Sequence, residues 1–249
     1  MIIGLRGGHS SNCIGAVGIV NEYEQMQEFF IYVSKVLTSY GHTVIDCNSN
    51  ANTQNGELLE GATKANNANV DLFVSLHMNA FDGTGNGTEA LVSSENSKAI
   101  SYAKKLCENF CELGFKNRGV KFQKLYEMNH VKVPNIIFEM CFCDSITDMA
   151  IYYNCSWSSL AYRFCNAIDS NIPITPPTES KGYVVTNYLP PDSATYDGVN
   201  INVLECFEGV TCYVRGNSKG VWVETQYLPI NKCNELRNTL GLWFYEIKK

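Results

Sequence analysis

The sequence predicts an α/β fold: a twisted, mostly parallel sheet with helices on both faces, followed by a small C-terminal mainly-β domain. Three observations predict it. Val70-Asp71-Leu72-Phe73-Val74-Ser75-Leu76 is an almost unbroken apolar run, rich in β-branched and aromatic residues, as in a strand covered on both faces. Runs of this kind alternate with longer segments whose apolar residues recur at helical spacing. After about residue 180 the helical period gives way to short Val-, Thr- and Tyr-rich runs separated by turn residues.

Residues 2–5 read as the first strand, and Arg6-Gly7-Gly8-His9-Ser10-Ser11 as the loop beyond it. The glycines do not make a phosphate loop, because no Gly-Lys-Ser/Thr follows. After a loop at 12–21, a helix is expected over 22–40, with Met26, Phe29, Phe30, Val33 and Leu37 on one stripe. Glu22 lies on that stripe, one turn before Met26, whereas Glu24, Glu28 and Lys35 lie on other faces. Gly41 closes the helix, His42 is expected at the surface, and 43–47 is a strand. A polar loop at 48–55 and a helix at 58–67 lead to the central strand, which ends at His77 and passes into a glycine-rich loop at 82–87. A strand at 88–93, a helix at 97–113 and an extended piece at 119–125 come next. A loop around His130 is expected over 126–133, then a strand over 134–140 and one long helix over 145–170.

Pro173, Pro176 and Pro177 mark 171–180 as a linker. Strands are expected beyond it at 182–189, 199–207, 210–214 and 221–227, with a helix at 231–240 and a closing strand at 242–247. The expected organisation is a first domain over 1–170, a linker over 171–180 and a β-rich domain over 181–249.

Composition narrows the function. At 45% hydrophobic and 18% charged, the chain has the make-up of an ordinary globular protein. A net charge of −6 argues against a nucleic-acid partner held through its phosphates. No run approaches the ~20 apolar residues of a membrane span, and residues 1–6 are too short for a signal peptide. Eleven scattered cysteines, an odd number, read as reduced and mostly buried thiols of a chain folded in a cytoplasm.

Chemistry in open α/β sheets gathers at the carboxyl ends of strands. His9 and His77 each arrive at such an end, Glu22 points inward from a helix start, and the 134–140 strand ends in the carboxylate of Glu139. Singly, each has a plain structural reading: a strand-capping histidine, a carboxylate at a helix dipole, a carboxylate bonded to backbone amides. Jointly, two imidazoles and an inward carboxylate match a three-ligand catalytic zinc site with one position open. Glu139 would then be a non-ligand carboxylate beside it. Cys141 and Cys143 could form a thiolate metal pair, although two packed core cysteines are the favoured reading.

Gly8-His9-Ser10, Gly18-Ile19-Val20-Asn21-Glu22, Ser75-Leu76-His77-Met78-Asn79-Ala80 and Ile137-Phe138-Glu139-Met140-Cys141-Phe142 resemble the zinc-dependent N-acetylmuramoyl-L-alanine amidases. The likeness is greatest to those of clostridial phage endolysins and covers about residues 1–170. It implies that His9, Glu22 and His77 hold one Zn2+ and that Glu139 is the catalytic glutamate. It also implies hydrolysis of the amide between the lactyl group of N-acetylmuramic acid and L-alanine in peptidoglycan. The expected partner is the bacterial cell wall, reached from the host cytoplasm after release. Two departures stand out: Ser10 and Ser11 replace the usual glycines, and the arginine common before Ala65-Asn66 is missing.

Residues 181–249 resemble bacterial SH3-like wall-binding modules only in Gly220-Val221-Trp222-Val223-Glu224 and Tyr227-Leu228-Pro229. Their aromatic residues Tyr188, Tyr196, Tyr213, Trp222, Tyr227, Trp243 and Tyr245 are expected mostly in the core, with a few on one face suited to carbohydrate or peptide. Two other functions stay open. The same ligands would serve a zinc carboxypeptidase or endopeptidase on the stem peptide, and the chain could be a non-catalytic wall-binding protein.

Overall fold

The structure is a computed structural model that describes residues 1–177, 180–189, 195–196 and 199–249. The chain forms two compact units, Met1–Pro176 and Pro177–Lys249.

The first unit runs β1 (Ile2–Gly7), α1 (Glu22–Ser39), β2 (Thr43–Asp46), α2 (Gln54–Asn67), β3 (Leu72–Asn79), β4 (Thr88–Val92), α3 (Ile100–Cys111), β5 (Asn117–Phe122), α4 (Tyr126–His130), β6 (Asn135–Phe142), α5 (Ile146–Tyr152) and α6 (Trp157–Ile168). The sheet order is β2-β1-β3-β6-β4-β5. Every pairing is parallel except that of β4 with β6. The apolar run in β3 is continuous because both faces are covered. Leu72, Val74 and Leu76 enter one core with Met26, Phe29, Val33 and Leu37 of α1, Leu106 and Phe110 of α3, and Phe164 of α6. Phe73 points the other way, toward Ala62 and Ala65 of α2 and Val131 after α4. Phe29 stacks on Trp157 and meets Phe110 and Phe164 edge-on. Full burial of such a side chain stabilises by about 1.5–3 kcal/mol.

Several expectations need correction. The segment 126–133 is not all loop: Tyr126–His130 forms a short helix whose buried Glu127 and Met128 pack inward. The expected helix over 145–170 is two helices, because the Ser156 side chain accepts from Ser159 N and starts a new one. His42 is buried, not at the surface, and its Nε2 lies 3.0 Å from Asp169 Oδ2. Cys141 and Cys143, by contrast, are buried free cysteines, in line with the favoured reading of two packed core residues. Glu139 is also not quite terminal, since β6 continues to Phe142.

The second unit runs β7 (Lys181–Thr186), β8 (Thr195–Tyr196), β9 (Val199–Asn200), α7 (Ile201–Glu205), β10 (Cys212–Asn217), β11 (Gly220–Thr225), β12 (Leu228–Pro229), α8 (Ile230–Leu240), a 3-10 turn (Gly241–Trp243) and β13 (Phe244–Lys248). β7 is central: it pairs antiparallel with β11, β12 and β13, and β10 extends the sheet beyond β11. A small core of Val184, Val203, Phe207, Val223, Cys233, Leu236 and Leu240 holds α7 and α8 to it. The strand expected over 199–207 is thus mostly helix, drawn in by Val203 and Phe207. Tyr188, Tyr213, Tyr227 and Tyr245 are exposed, against the expectation that most of these aromatics are core. The Tyr196 side chain falls outside the described residues.

Candidate metal centre and active site

The strand register lines up the chemistry. Gly7 of β1 pairs with Leu76 of β3, which puts Gly8 beside His77; His77 pairs with Glu139 of β6, and Glu139 with Glu89 of β4. Paired residues on neighbouring strands project to the same face of a sheet, so His77, Glu139 and Glu89 form one row. Glu22 enters from α1, whose start is fixed by Asn21: the Asn21 side chain accepts from Glu24 N at 3.3 Å. A cap of this kind contributes about 1 kcal/mol.

His9, Glu22 and His77 offer ligand atoms that all lie within 4.8 Å of one another. Glu22 Oε2 is 3.1 Å from His9 Nε2, and Glu22 Oε1 is 2.9 Å from His77 Nδ1. The carboxylate is fixed further by Ala16 N, which donates to Oε2, and Met78 N, which donates to Oε1. His77 turns its other nitrogen to Ser75 Oγ at 3.0 Å. Two glycines make the room. A Cβ at Gly8 would run into the His77 ring, and one at Gly15, where φ is +70°, into His9 and Glu22.

The electrostatics suit a cation. Burial alone would lower the His9 pKa, but its bonds to Glu22 and Glu57 and their negative charges raise it to about 9. Burial also works to lower His77, which Glu22 and Glu139 nevertheless raise above the ordinary value. Burial would raise Glu22, yet the two histidines hold it well below the usual carboxylate range. One carboxylate thus faces both imidazoles, and the acids around the trio favour positive charge at its centre. Two imidazoles and one carboxylate form a donor set that fits zinc.

Glu139 stands apart from that trio. Burial pushes its carboxyl up to about 7; His77 pulls it down, while the carboxylates of Glu22 and Glu89 add to the rise. Its Oε2 is buried with no hydrogen-bond partner among the described residues. Glu89 is itself pinned, accepting from Asn79 Nδ2 at 2.9 Å and from Arg118 Nε at 2.7 Å. A cleft of about 600 Å³ opens beside Glu139, with Asn79, Phe81, Leu91, Arg118 and Phe142 in its walls. A half-buried carboxyl poised near neutrality beside three side chains that could hold a metal can move protons at an attacking water.

The family model for N-acetylmuramoyl-L-alanine amidase matches residues 3–170. The chain belongs to this family. Among relatives of the amidase domain, an uncharacterised protein of Clostridium perfringens strain 13 is 36% identical over 157 residues, 61% of this chain and 47% of that protein. The N-acetylmuramoyl-L-alanine amidase LytC of Bacillus subtilis is 30% identical over 148 residues, 57% of this chain and 29% of that one. The solved catalytic domain of the endolysin CD27L, described as targeting Clostridia difficile, is similar at a TM-score of 0.63 and 30% identity, covering 68% of this chain and 96% of that chain. The chain spans about half the length of the first curated relatives it matches. No helix among the described residues is long and apolar enough to cross a membrane.

The amidase domain also holds functional candidates that the sequence reading passed over. Arg6 is fully buried, between Glu57 of α2 and Glu127 of α4. Glu89 and Arg118 flank Glu139. One signal was available, a charged residue inside the otherwise apolar opening strand Ile2-Ile3-Gly4-Leu5-Arg6. A cation buried in a strand demands a partner, but its partners lie 51 and 121 residues away.

Proposed function

We propose that the chain is a zinc-dependent peptidoglycan hydrolase that cleaves the amide between the lactyl group of N-acetylmuramic acid and L-alanine. One observation carries this reading: His9, Glu22 and His77 converge, with Glu139 beside His77 in strand register, in a chain of the amidase family. His9 Nε2, the Glu22 carboxylate and His77 Nδ1 would hold the metal. When bound, zinc would supply Lewis acidity toward the scissile carbonyl and the attacking water.

The chain's own residues supply the rest. Glu139 takes a proton from the attacking water and returns it to the leaving nitrogen of L-alanine. A carboxyl whose pKa is near 7 can do both at neutral pH. Asn79 and Arg118 hold Glu89 in place, so its charge bears steadily on Glu139. The cleft lined by Phe81, Leu91 and Phe142 gives the stem peptide a partly apolar bed.

Residues 181–249 bind the wall on this reading. Support comes from the exposed Tyr188 and Tyr245, which with Trp222, Glu224 and Lys248 line a groove of about 260 Å³. The likeness to an endolysin catalytic domain supports a lytic role in which the chain is made inside a host and reaches the wall on release.

Digesting purified cell wall with the zinc-loaded chain and labelling the new amino termini tests the reaction. L-alanine is expected there. Another terminal residue would identify a stem-peptide peptidase, and no new termini a wall-binding protein without hydrolytic activity.

A further inference from the structure

We propose that Arg6, Glu57 and Glu127 form a buried network that positions His9, with Glu57 the acceptor that turns the His9 Nε2 toward the metal. The proposal rests on the metal centre assigned above and adds positioning residues to it.

The network begins with sheet register. Arg6 of β1 pairs with Ser75 of β3, so its side chain lies on the same face as Ser75 and His77, beneath α2 and α4. It is fully buried. Its Nη1 donates to Glu127 Oε1 at 3.0 Å and to the Glu57 carbonyl at 3.3 Å. Its Nη2 donates to the His9 carbonyl at 3.4 Å and lies 3.7 Å from Glu57 Oε2. One guanidinium therefore faces two carboxylates, each almost wholly buried. As a purely structural device this is a poor arrangement. The second buried carboxylate costs desolvation that a single cation does not offset.

The surplus acid has a use. Glu57 Oε1 stands 3.5 Å from His9 Nδ1, while His9 Nε2 faces Glu22 Oε2 at 3.1 Å. A neutral imidazole whose proton sits on Nδ1 and is shared with Glu57 keeps its lone pair on Nε2, aimed at the metal position. The backbone is held by the same group. His9 is one of two described non-glycine residues with positive φ, at 71°, and Arg6 grips its carbonyl. Ring and main chain of the ligand are thus fixed from one cluster. The far side of His77 meets the neutral Ser75 hydroxyl instead.

The test is zinc affinity, measured on the full chain by competition with a chromophoric chelator, together with melting midpoints with and without zinc. Glu57→Ala should weaken zinc binding about 10–100-fold, the usual effect of losing a carboxylate behind a ligating histidine. Glu57→Gln, whose amide oxygen can still accept from Nδ1, should lose less. Glu127→Gln, which touches Arg6 but not the His9 ring, should lower the metal-free melting midpoint while weakening zinc binding least. If Glu57→Ala does not fold, Glu57→Gln compared with Glu127→Gln carries the test. Wild-type zinc affinity in the Glu57 variants, with lowered melting alone, would reduce Glu57 to a structural residue and overturn the proposal, leaving the metal centre intact. A wild-type chain that takes up no zinc would overturn the metal centre and this proposal with it.

Discussion

Glu139 owes its behaviour to its neighbours. Placed in register with His77 and Glu89 and half-buried at the cleft wall, it is pushed to about 7, where a carboxyl can serve as base and then as acid. Glu139→Gln should keep its zinc and lose about 10²–10⁴-fold in lytic rate; a variant that lyses walls at the wild-type rate would remove Glu139 from the mechanism. The histidines give a second check. In the metal-free chain His9 is raised to about 9, so on the proposed reading zinc would displace a proton throughout the neutral range. Apparent zinc affinity should climb with pH up to about 9, and isothermal titrations in buffers of different ionisation heat should reveal proton release. Pairing to Glu22 and Glu57 should stabilise the metal-free fold fully below about pH 6.5 and fade as pH rises through about 9. A flat zinc affinity over that interval would contradict the pairing seen at His9. Residue type, strand position and, for Glu22, helix phase made His9, Glu22, His77 and Glu139 candidates in the sequence. Glu57 and Glu127 could not be found that way, because only the folding of α2 and α4 over β1 brings them to Arg6.

Helix phase decides which glutamate faces the metal position. Glu22 precedes Met26, Phe29 and Val33 at helical intervals, and all four are buried. Glu24, about 200° further round at 3.6 residues per turn, is exposed. Glu22→Ala should abolish tight zinc binding, and Glu24→Ala should leave metal content and lysis nearly unchanged; the reverse pattern in metal analysis of the two purified variants would mean that Glu24 is the ligand. Long periodic elements such as α1 and β3 were legible because burial imposes a regular spacing over many residues. Short elements were not. Tyr126–His130 spans too few residues to show a period, and Ser156 breaks what looked like one helix by offering its hydroxyl to Ser159 N. His42 was misread for a different reason, since its partner Asp169 is 127 residues away.

At the scale of the whole molecule, two units with separate cores suggest a division of labour between cutting and anchoring. Expressed alone, residues 1–176 should fold and retain zinc, and residues 177–249 should sediment with purified walls without releasing new amino termini; an insoluble first piece, or a second that stays in the supernatant, would argue against that division. The second unit was harder to read from sequence because its short strands and partly exposed aromatics follow no clean alternation, and its segment at 199–207 folds largely as helix around Val203 and Phe207. The central claim, that the two histidines and Glu22 hold the zinc on which hydrolysis depends, is tested most directly by metal content. Zinc per chain should be measured alongside wall lysis before chelation, after it, and after zinc is restored. The account predicts one zinc per chain, with metal and lysis lost together and regained together. Full lysis by the metal-free chain would contradict it.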